Sequence, residues 1–270
     1  MAQGRKTSVA DAFTVWERRN YKWRNWRHAQ GGALFFPGCA LPSFFPETEL
    51  ACERLLSEHG VGCALDCCGA ALDAPLGAAE ARRQAGRVEE RARRAGVDSL
   101  VAACPNCARA LAARTGLPVE SVYARLAVLG LQAPEAAPGA VFVPCPDRAE
   151  RAWLAQVQEL LGGGAFALDA GCCCGAAFVN ERPDDAARAA RRVLDAACEA
   201  CAAAGAEPLL YVYCASCAGQ LERARLAAAK EGDADLGRLR IVHALSALLG
   251  VEEAPAVSSS LANRVKASRR

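Results

Sequence analysis

The sequence lacks a long hydrophobic run, an excess of either charge and an export signal. Its apolar stretches are far shorter than a bilayer span, so we expect no membrane span. The 32 Lys and Arg residues nearly balance the 30 Asp and Glu residues, which argues against wholesale nucleic-acid binding. The Arg18-Arg19 pair is not followed by an apolar segment, so it does not read as a twin-arginine signal. We therefore predict a cytoplasmic protein.

Cysteine is the residue type present in excess, with 15 in 270 residues. A hydrophobic share of 53% against 23% charged residues excludes general disorder, and the length suits one or two domains with a real core. The chain is too long for a disulfide-stabilised miniprotein. Clustered cysteines in such a chain indicate metal binding or redox chemistry rather than structural bridges.

The chain is an internal duplication, because four motifs recur in the same order. The spacing from the lone cysteine to the adjacent pair is 28 positions in both copies. The matches are FFPGCA at 35–40 with VFVPCP at 141–146, CCGAAL at 67–72 with CCGAAF at 173–178, CPNCARAL at 104–111 with CASCAGQL at 214–221, and VYARLAVLG at 122–130 with VHALSALLG at 242–250. The predicted organisation is a basic Trp/Arg-rich N-terminal arm (1–32), two homologous domains (33–132 and 140–252) and a loose C-terminal tail (253–270).

Each unit alternates short apolar strands with helices, which predicts an α/β fold with small parallel sheets flanked by helices. In such sheets the carboxyl ends of the strands form the ligand crevice. The cysteines follow predicted strands, so three loops of each unit should deliver five thiols to one edge. The predicted strands are 33–37, 61–65 and 99–103 in the first unit and 140–144, 165–168, 209–213 and 238–242 in the second.

Five thiols per unit favour an iron–sulfur cluster over zinc. Each unit offers a lone cysteine, an adjacent pair and a C-x-x-C at a helix start, where the helix dipole favours thiolates. Five thiolates exceed the four ligands of a zinc ion, and adjacent cysteines suit two metals of one polynuclear cluster. Structural zinc stays open as an alternative. Gly69 and Gly175, which follow the pairs, are expected to let the backbone approach the cluster.

On these motifs the chain resembles the cysteine-rich CCG domain family, C-x(n)-CCG-x(n)-C-x-x-C, in the tandem arrangement of heterodisulfide reductase B subunits. The resemblance implies two domains related by a pseudo-twofold axis and two noncubane [4Fe-4S] clusters. It also implies cleavage of a disulfide into two thiols between these clusters. The implied ligands are Cys39, Cys67, Cys68, Cys104 and Cys107 for the first cluster, and Cys145, Cys173, Cys174, Cys214 and Cys217 for the second.

The chain has no C-x-x-C-x-x-C-x-x-x-C ferredoxin run, so electrons must arrive from another protein. By resemblance, the partners are a ferredoxin-like iron–sulfur subunit and a flavin-bearing subunit. The alternative function is a non-catalytic electron-transfer subunit of a flavin- or quinone-linked oxidoreductase complex. The basic arm is interpreted either as a solvated tail or as an anchor for a partner subunit.

The remaining cysteines are assigned no ligand role. Cys172 aligns with Asp66 of the first unit and is interpreted as a bystander. Core packing is predicted for Cys198 and Cys201, which lie in mid-helix, with a redox or zinc role as the alternative. His243 resembles a histidine that follows the C-x-x-C in related domains, and a capping or core role is predicted for it. Cys52 and Cys63 are expected to be small buried hydrophobic residues.

Overall fold

The chain folds into two four-stranded sheets that share one strand order. The computed structural model describes residues 16, 21–72, 77–131, 134, 136–169 and 173–270. The first sheet has the order β2-β1-β3-β4 and the second β6-β5-β7-β8, and every strand pair is parallel. The strands are β1 (Gly32–Phe36), β2 (Gly62–Cys63), β3 (Val97–Ala102), β4 (Val119–Ser121), β5 (Gly139–Phe142), β6 (Ala165–Leu168), β7 (Leu209–Val212) and β8 (Arg240–His243). The predicted fold class is confirmed.

Helices cover both sheets, so the central strands are continuous apolar runs. Leu34, Phe35 and Phe36 of β1 are fully buried, as are Leu210 and Val212 of β7. The α-helices are α1 (Leu41–Phe44), α2 (Pro46–Glu58), α3 (Ala78–Arg94), α4 (Pro105–Ala112), α5 (Val122–Val128), α6 (Ala152–Leu161), α7 (Pro183–Ala203), α8 (Ala215–Lys230), α9 (Ala234–Arg238), α10 (Ala244–Leu248) and α11 (Ser260–Arg269), with short 3₁₀ turns at Ala70–Leu72 and Cys145–Asp147. Within the described part of the chain, no helix has both the length and the apolar character to cross a bilayer.

The two domains pack directly on each other. The hydroxyl groups of Thr48 and Ser246 are 2.7 Å apart across the interface, and Glu253 Oε2 accepts from Thr48 Oγ1 at 2.8 Å. Gly219 of α8 lies against the ring of Phe44, where a Cβ would come within 2.5 Å of ring carbons. One hydrophobic core therefore includes buried residues of both domains.

The described part of the N-terminal arm packs on its own domain. Tyr21 is 1% exposed, Asn25 forms an antiparallel bridge with Leu65, and the Cys63 amide donates to the His28 carbonyl. For residues 21–31 the solvated-tail interpretation is therefore wrong. Residues 1–15 and 17–20 lie outside the described residues.

The C-terminal segment is a helix, so the predicted loose tail is wrong. Helix α11 crosses back to the first domain, where Asn263 Nδ2 donates to the Ser43 carbonyl at 3.0 Å. Arg270 Nη1 donates to the buried carboxylate of Glu49 at 2.9 Å. These long-range polar contacts hold the helix, together with the small apolar contact of Ala267, which is 1% exposed. The local sequence does not reveal any of these contacts.

The buried carboxyl group of Glu49 makes stability pH-dependent. Burial raises its pKa from 4.5 to about 7, against the opposing effect of Arg270. The folded state therefore binds this proton more tightly than the unfolded state. The contribution of Glu49 to the free energy of unfolding should fall by about 3 kcal/mol as pH rises from 4.5 to about 7.

Denaturant titrations across that pH range measure the effect. Glu49→Gln, which stays neutral at every pH, should lack this contribution, so the difference in free energy of unfolding between wild type and variant should change by that amount across the range. Wild type and variant that change in parallel with pH would assign the effect to other groups.

Candidate metal centre

Cysteines from both domains surround one cavity of about 230 Å³. Nine of the ten predicted ligands line it, and the tenth, Cys214, is fully buried. Asn106, Pro146 and Ser216 also line the cavity. The nine thiols are those of Cys39, Cys67, Cys68, Cys104, Cys107, Cys145, Cys173, Cys174 and Cys217.

The first sulfur set comes from three loops of the first domain. Cys39 follows β1, the adjacent pair follows β2, and the C-x-x-C begins after β3. The thiols of Cys104 and Cys68 both contact Cys107, and together with burial they raise the pKa of the Cys107 thiol. Cys39 is half-buried, whereas the other four cysteines are at most 7% exposed.

The second sulfur set has the same origin but opens to solvent. Cys174 Sγ and Cys217 Sγ are 3.1 Å apart, too far for a disulfide bond. Cys145 is exposed and Cys173 is half-buried. Hydrogen bonds from Cys145 and Cys174 lower the pKa of Cys173 to about 2. One sulfur of this set therefore favours the thiolate form that metals bind.

Both C-x-x-C motifs begin helices. Cys104 is the N-cap residue of α4 and Cys214 that of α8, each in extended backbone without a side-chain cap. The first-turn amides of these helices lack intrahelical partners, and the helix dipoles present partial positive charge. Both features stabilise anionic sulfur at this edge.

The glycine of each CCG motif faces a helix rather than the cavity. A Cβ on Gly69 would come within 2.8 Å of Gln84 Cβ on α3, and one on Gly175 within 2.6 Å of the Ala186 carbonyl oxygen on α7. Both residues have positive φ, +78° and +85°. These glycines thus have a packing role that the motif alone did not indicate: they let the cysteine turn pack against the following helix.

Asp66 anchors the first cysteine pair. Its fully buried carboxylate accepts from the Cys67 amide at 2.8 Å, from Trp26 Nε1 at 3.0 Å and from Arg91 Nη1 at 2.9 Å. Arg24 Nε lies 3.7 Å from the same carboxylate. The N-terminal arm thus helps to orient the loop that carries two thiols.

Trp26→Phe should destabilise this anchor. The change removes one hydrogen bond to a buried carboxylate and keeps most of the apolar contact, so we expect a loss of about 2 kcal/mol in the free energy of unfolding. Chemical denaturation measures it. Trp23→Phe, a change in the same arm whose indole nitrogen has no hydrogen-bond partner, is the matched control. Equal losses in both variants would contradict a specific role of the Trp26–Asp66 bond.

Asp147 and Tyr213 play the corresponding role in the second domain. Asp147 lies two positions after Cys145 and accepts from the Tyr213 hydroxyl at 2.7 Å and from the amides of Trp153 and Leu154. Because Tyr213 immediately precedes Cys214, this carboxylate ties two cysteine loops together. Neither Asp66 nor Asp147 was foreseen as an anchor, although Asp66 directly precedes Cys67 and Asp147 lies two positions after Cys145.

The other cysteines that the structure describes lie outside the cavity lining. Cys52 and Cys63 are buried, and desolvation raises the pKa of both thiols. Cys201 is buried, with Sγ 3.4 Å from the Leu209 carbonyl oxygen, and Cys198 is half-buried on α7. Cys172 lies outside the described residues.

His243 caps a helix. Its Nδ1 accepts from the Leu245 amide at 3.3 Å, and its ring centroid is 5.0 Å from that of Phe45. Desolvation lowers its pKa to about 3, so this buried imidazole is neutral at physiological pH. It does not line the cysteine cavity.

The donor set fits iron–sulfur ligation. Every cysteine in the described ranges is a free thiol, and each sulfur set converges on the same cavity from separate loops. All-thiolate surroundings at helix N-termini suit anionic iron–sulfur clusters. A larger hollow of about 730 Å³ beside β8 is lined by Tyr211, Arg225 and Glu253, with no cysteine among its lining residues.

Comparison with known proteins identifies the domains. The family model of the CCG cysteine-rich domain matches residues 33–112 and 140–222, which is more than half of the chain. No curated protein sequence matches the chain.

Solved structures of racemases share a distant likeness with the chain. Glutamate racemase isoform RacE1 from Bacillus anthracis is 17% identical over 83% of this chain and 80% of that one, with a TM-score of 0.38. Picrophilus torridus aspartate racemase is 9% identical over 81% and 91%, with a TM-score of 0.37. Glutamate racemase from Campylobacter jejuni is 13% identical over 89% and 98%, also at 0.37. With TM-scores this low, no functional inference follows.

The family model matches the chain twice, and each match contains one of the two sulfur sets. CCG cysteine-rich domains imply an iron–sulfur or redox role. The chain belongs to the CCG cysteine-rich domain family, in which it is a tandem two-domain member.

Proposed function

We propose that this protein is an iron–sulfur redox subunit that cleaves a disulfide into two thiols, as its resemblance to heterodisulfide reductase B subunits suggests. The proposed cofactors are two noncubane [4Fe-4S] clusters, each held by the five cysteines of one set. The observation that carries the proposal is the single cavity lined by thiols of both domains. A site between two sulfur sets suits a substrate with two sulfur atoms.

The proposed reaction consumes one disulfide, two electrons and two protons and yields two thiols. When bound, the clusters would supply the electrons one at a time and bind sulfur at iron. The chain's own residues hold the thiolates and exclude water from the inner side, where Cys68, Cys107 and Cys174 are buried. The exposed Cys145 marks the open side, by which a substrate would enter.

The electrons must come from outside the chain, because the sequence has no ferredoxin-type cysteine run. A ferredoxin-like iron–sulfur subunit and a flavin-bearing subunit are the proposed donors. The proposed substrate is a disulfide, or a thiol in the reverse direction.

Anaerobic purification followed by iron and sulfide analysis tests the cofactor. About eight irons per chain and an EPR signal after thiol addition to the oxidised protein would support two tetranuclear centres. A colourless protein that contains only zinc would refute the redox function. Reduced viologen as donor, with a panel of low-molecular-weight and protein disulfides, tests the reaction. An iron-loaded protein that reduces none of them would refute the catalytic role.

The second candidate is an electron-transfer subunit of a flavin- or quinone-linked complex. The exposure of Cys145 favours it, because a cluster edge near the surface suits electron exchange with a partner. Reversible reduction by a flavoprotein dehydrogenase, without turnover of any disulfide, would select this candidate.

A further inference from the structure

The two sulfur sets are not equivalent, although their cysteines match one for one. Asn106, from the C-x-x-C of the first domain, donates from Nδ2 to Cys214 Sγ in the second domain at 3.6 Å. Ser216 occupies the equivalent place in the second C-x-x-C, and no hydrogen bond from it to a sulfur is found among the described residues. A hydrogen-bond donor therefore reaches from the first domain to a sulfur of the second domain, without an equivalent donor from Ser216 in the reverse direction within the described part of the chain.

Two further donors reach the second set. Arg148 Nη2 lies 3.9 Å from Cys145 Sγ, and the Gly175 amide lies 3.3 Å from Cys173 Sγ. The Asn106 amide therefore adds a donor from the other domain to the local donors at Cys145 and Cys173.

Hydrogen bonds to sulfur, positive charge and solvent exposure all stabilise the more negative, reduced form of an iron–sulfur centre and raise its reduction potential. The inter-domain donor from Asn106 and the solvent exposure favour the second set, where Cys145 is exposed and Cys173 half-buried. The helix N-termini at Cys104 and Cys214 occur in both sets and do not separate them.

We propose that the two sets hold centres of unequal reduction potential, and that the set of Cys145, Cys173, Cys174, Cys214 and Cys217 takes up the first electron because Asn106 reaches across to Cys214. The proposal rests on the iron–sulfur part of the proposed function and not on its disulfide substrate. The step is one electron from a low-potential one-electron reductant to the second centre, with no bond made or broken. Contact between the thiols of Cys104 and Cys214 joins the two sets, so the electron can pass between them.

An EPR-monitored redox titration of the anaerobically purified full-length protein, with dithionite as reductant, tests the proposal. In the wild type, two signals should appear at separate potentials. The signal lost in Cys217→Ser, which removes a ligand of the second set, should be the one at higher potential. Coincident potentials, or the reverse order, would overturn the inference.

Variants at Asn106 test the donor itself. Asn106→Leu removes the N–H at similar volume and should raise the oxidised-to-reduced ratio of the second centre about tenfold at a fixed potential, equivalent to ~59 mV. Asn106→Asp keeps the shape, places a negative charge at the sulfur and should shift that centre further in the same direction. Ser216→Ala is the matched control and should shift neither centre. Equal shifts of both centres, or none, in the Asn106 variants would overturn the assignment.

The outcomes separate this inference from the proposed function. If every disulfide assay fails but the titration shows two distinct potentials in the expected order, catalysis is refuted and the inference is supported. Absence of iron refutes both.

Discussion

Cys217→Ser is expected to remove one metal centre and leave the other. Cys217 is 5% exposed, and its sulfur is 3.1 Å from that of Cys174, so it lies within the second sulfur set. Serine is a far poorer ligand for iron than a thiolate. We expect the iron content to fall from about eight to about four per chain, with loss of disulfide turnover. Metal analysis and EPR spin quantitation measure the change.

Cys198→Ser is the matched control for this loss. Cys198 is half-buried on α7 and is not among the residues that line the cysteine cavity. This variant should keep the full iron content and all activity. Loss of iron in the control, or full iron retention in Cys217→Ser, would contradict the ligand assignment.

The reciprocal variant, Cys107→Ser, should remove the first centre instead. Its thiol contacts those of Cys104 and Cys68, and the surrounding loop is held by Asp66. The two variants should therefore lose different EPR signals at equal iron content. If both lose the same signal, the ten sulfurs do not divide into two sets of five.

Gly175→Ala is expected to cause the largest loss of stability. Its φ of +85° disfavours any residue with a Cβ, and that Cβ would lie 2.6 Å from the Ala186 carbonyl oxygen. Left-handed strain and overpacking together should cost about 3–4 kcal/mol. The helix or the cysteine turn must move, so the iron content of the second centre should fall as well. Thermal unfolding and metal analysis measure both effects.

Gly205→Ala separates the effect of backbone strain from that of steric overlap. Gly205 also has positive φ, +65°, but its Cβ would meet no atom within 4 Å. We expect a loss of about 1 kcal/mol and unchanged iron content. Equal losses in the two glycine variants would show that the close packing of the CCG turn on α7 does not matter.

Several strand positions followed closely from local pattern. The predicted strand 165–168 matches the structure, and the predicted strands 33–37 and 209–213 differ by one residue. Strand β2 has only two residues, and β4 was not predicted. Each of these short strands exists because it pairs with a longer neighbour, which local pattern does not reveal.

For the site, too, local sequence predicted some features and missed those that depend on tertiary contacts. The loops that carry the cysteines were predicted from their place after strands, and nine of the ten thiols line one cavity. The packing of Gly69 and Gly175 on a helix was not foreseen, because it depends on which helix lies beside the turn. The helical C-terminal segment was not foreseen, because its contacts lie 220 positions away at Ser43.

The sequence by itself determined the duplication, the α/β class and the grouping of cysteines, because these are set by repeated motifs and by strand–helix periodicity along the chain. Only the tertiary structure decided how the two sets differ. The bond from Asn106 to Cys214 joins residues 108 positions apart, and the exposure of Cys145 depends on what packs around it. Contacts of this kind arise from the docking of the two domains, which no local pattern encodes.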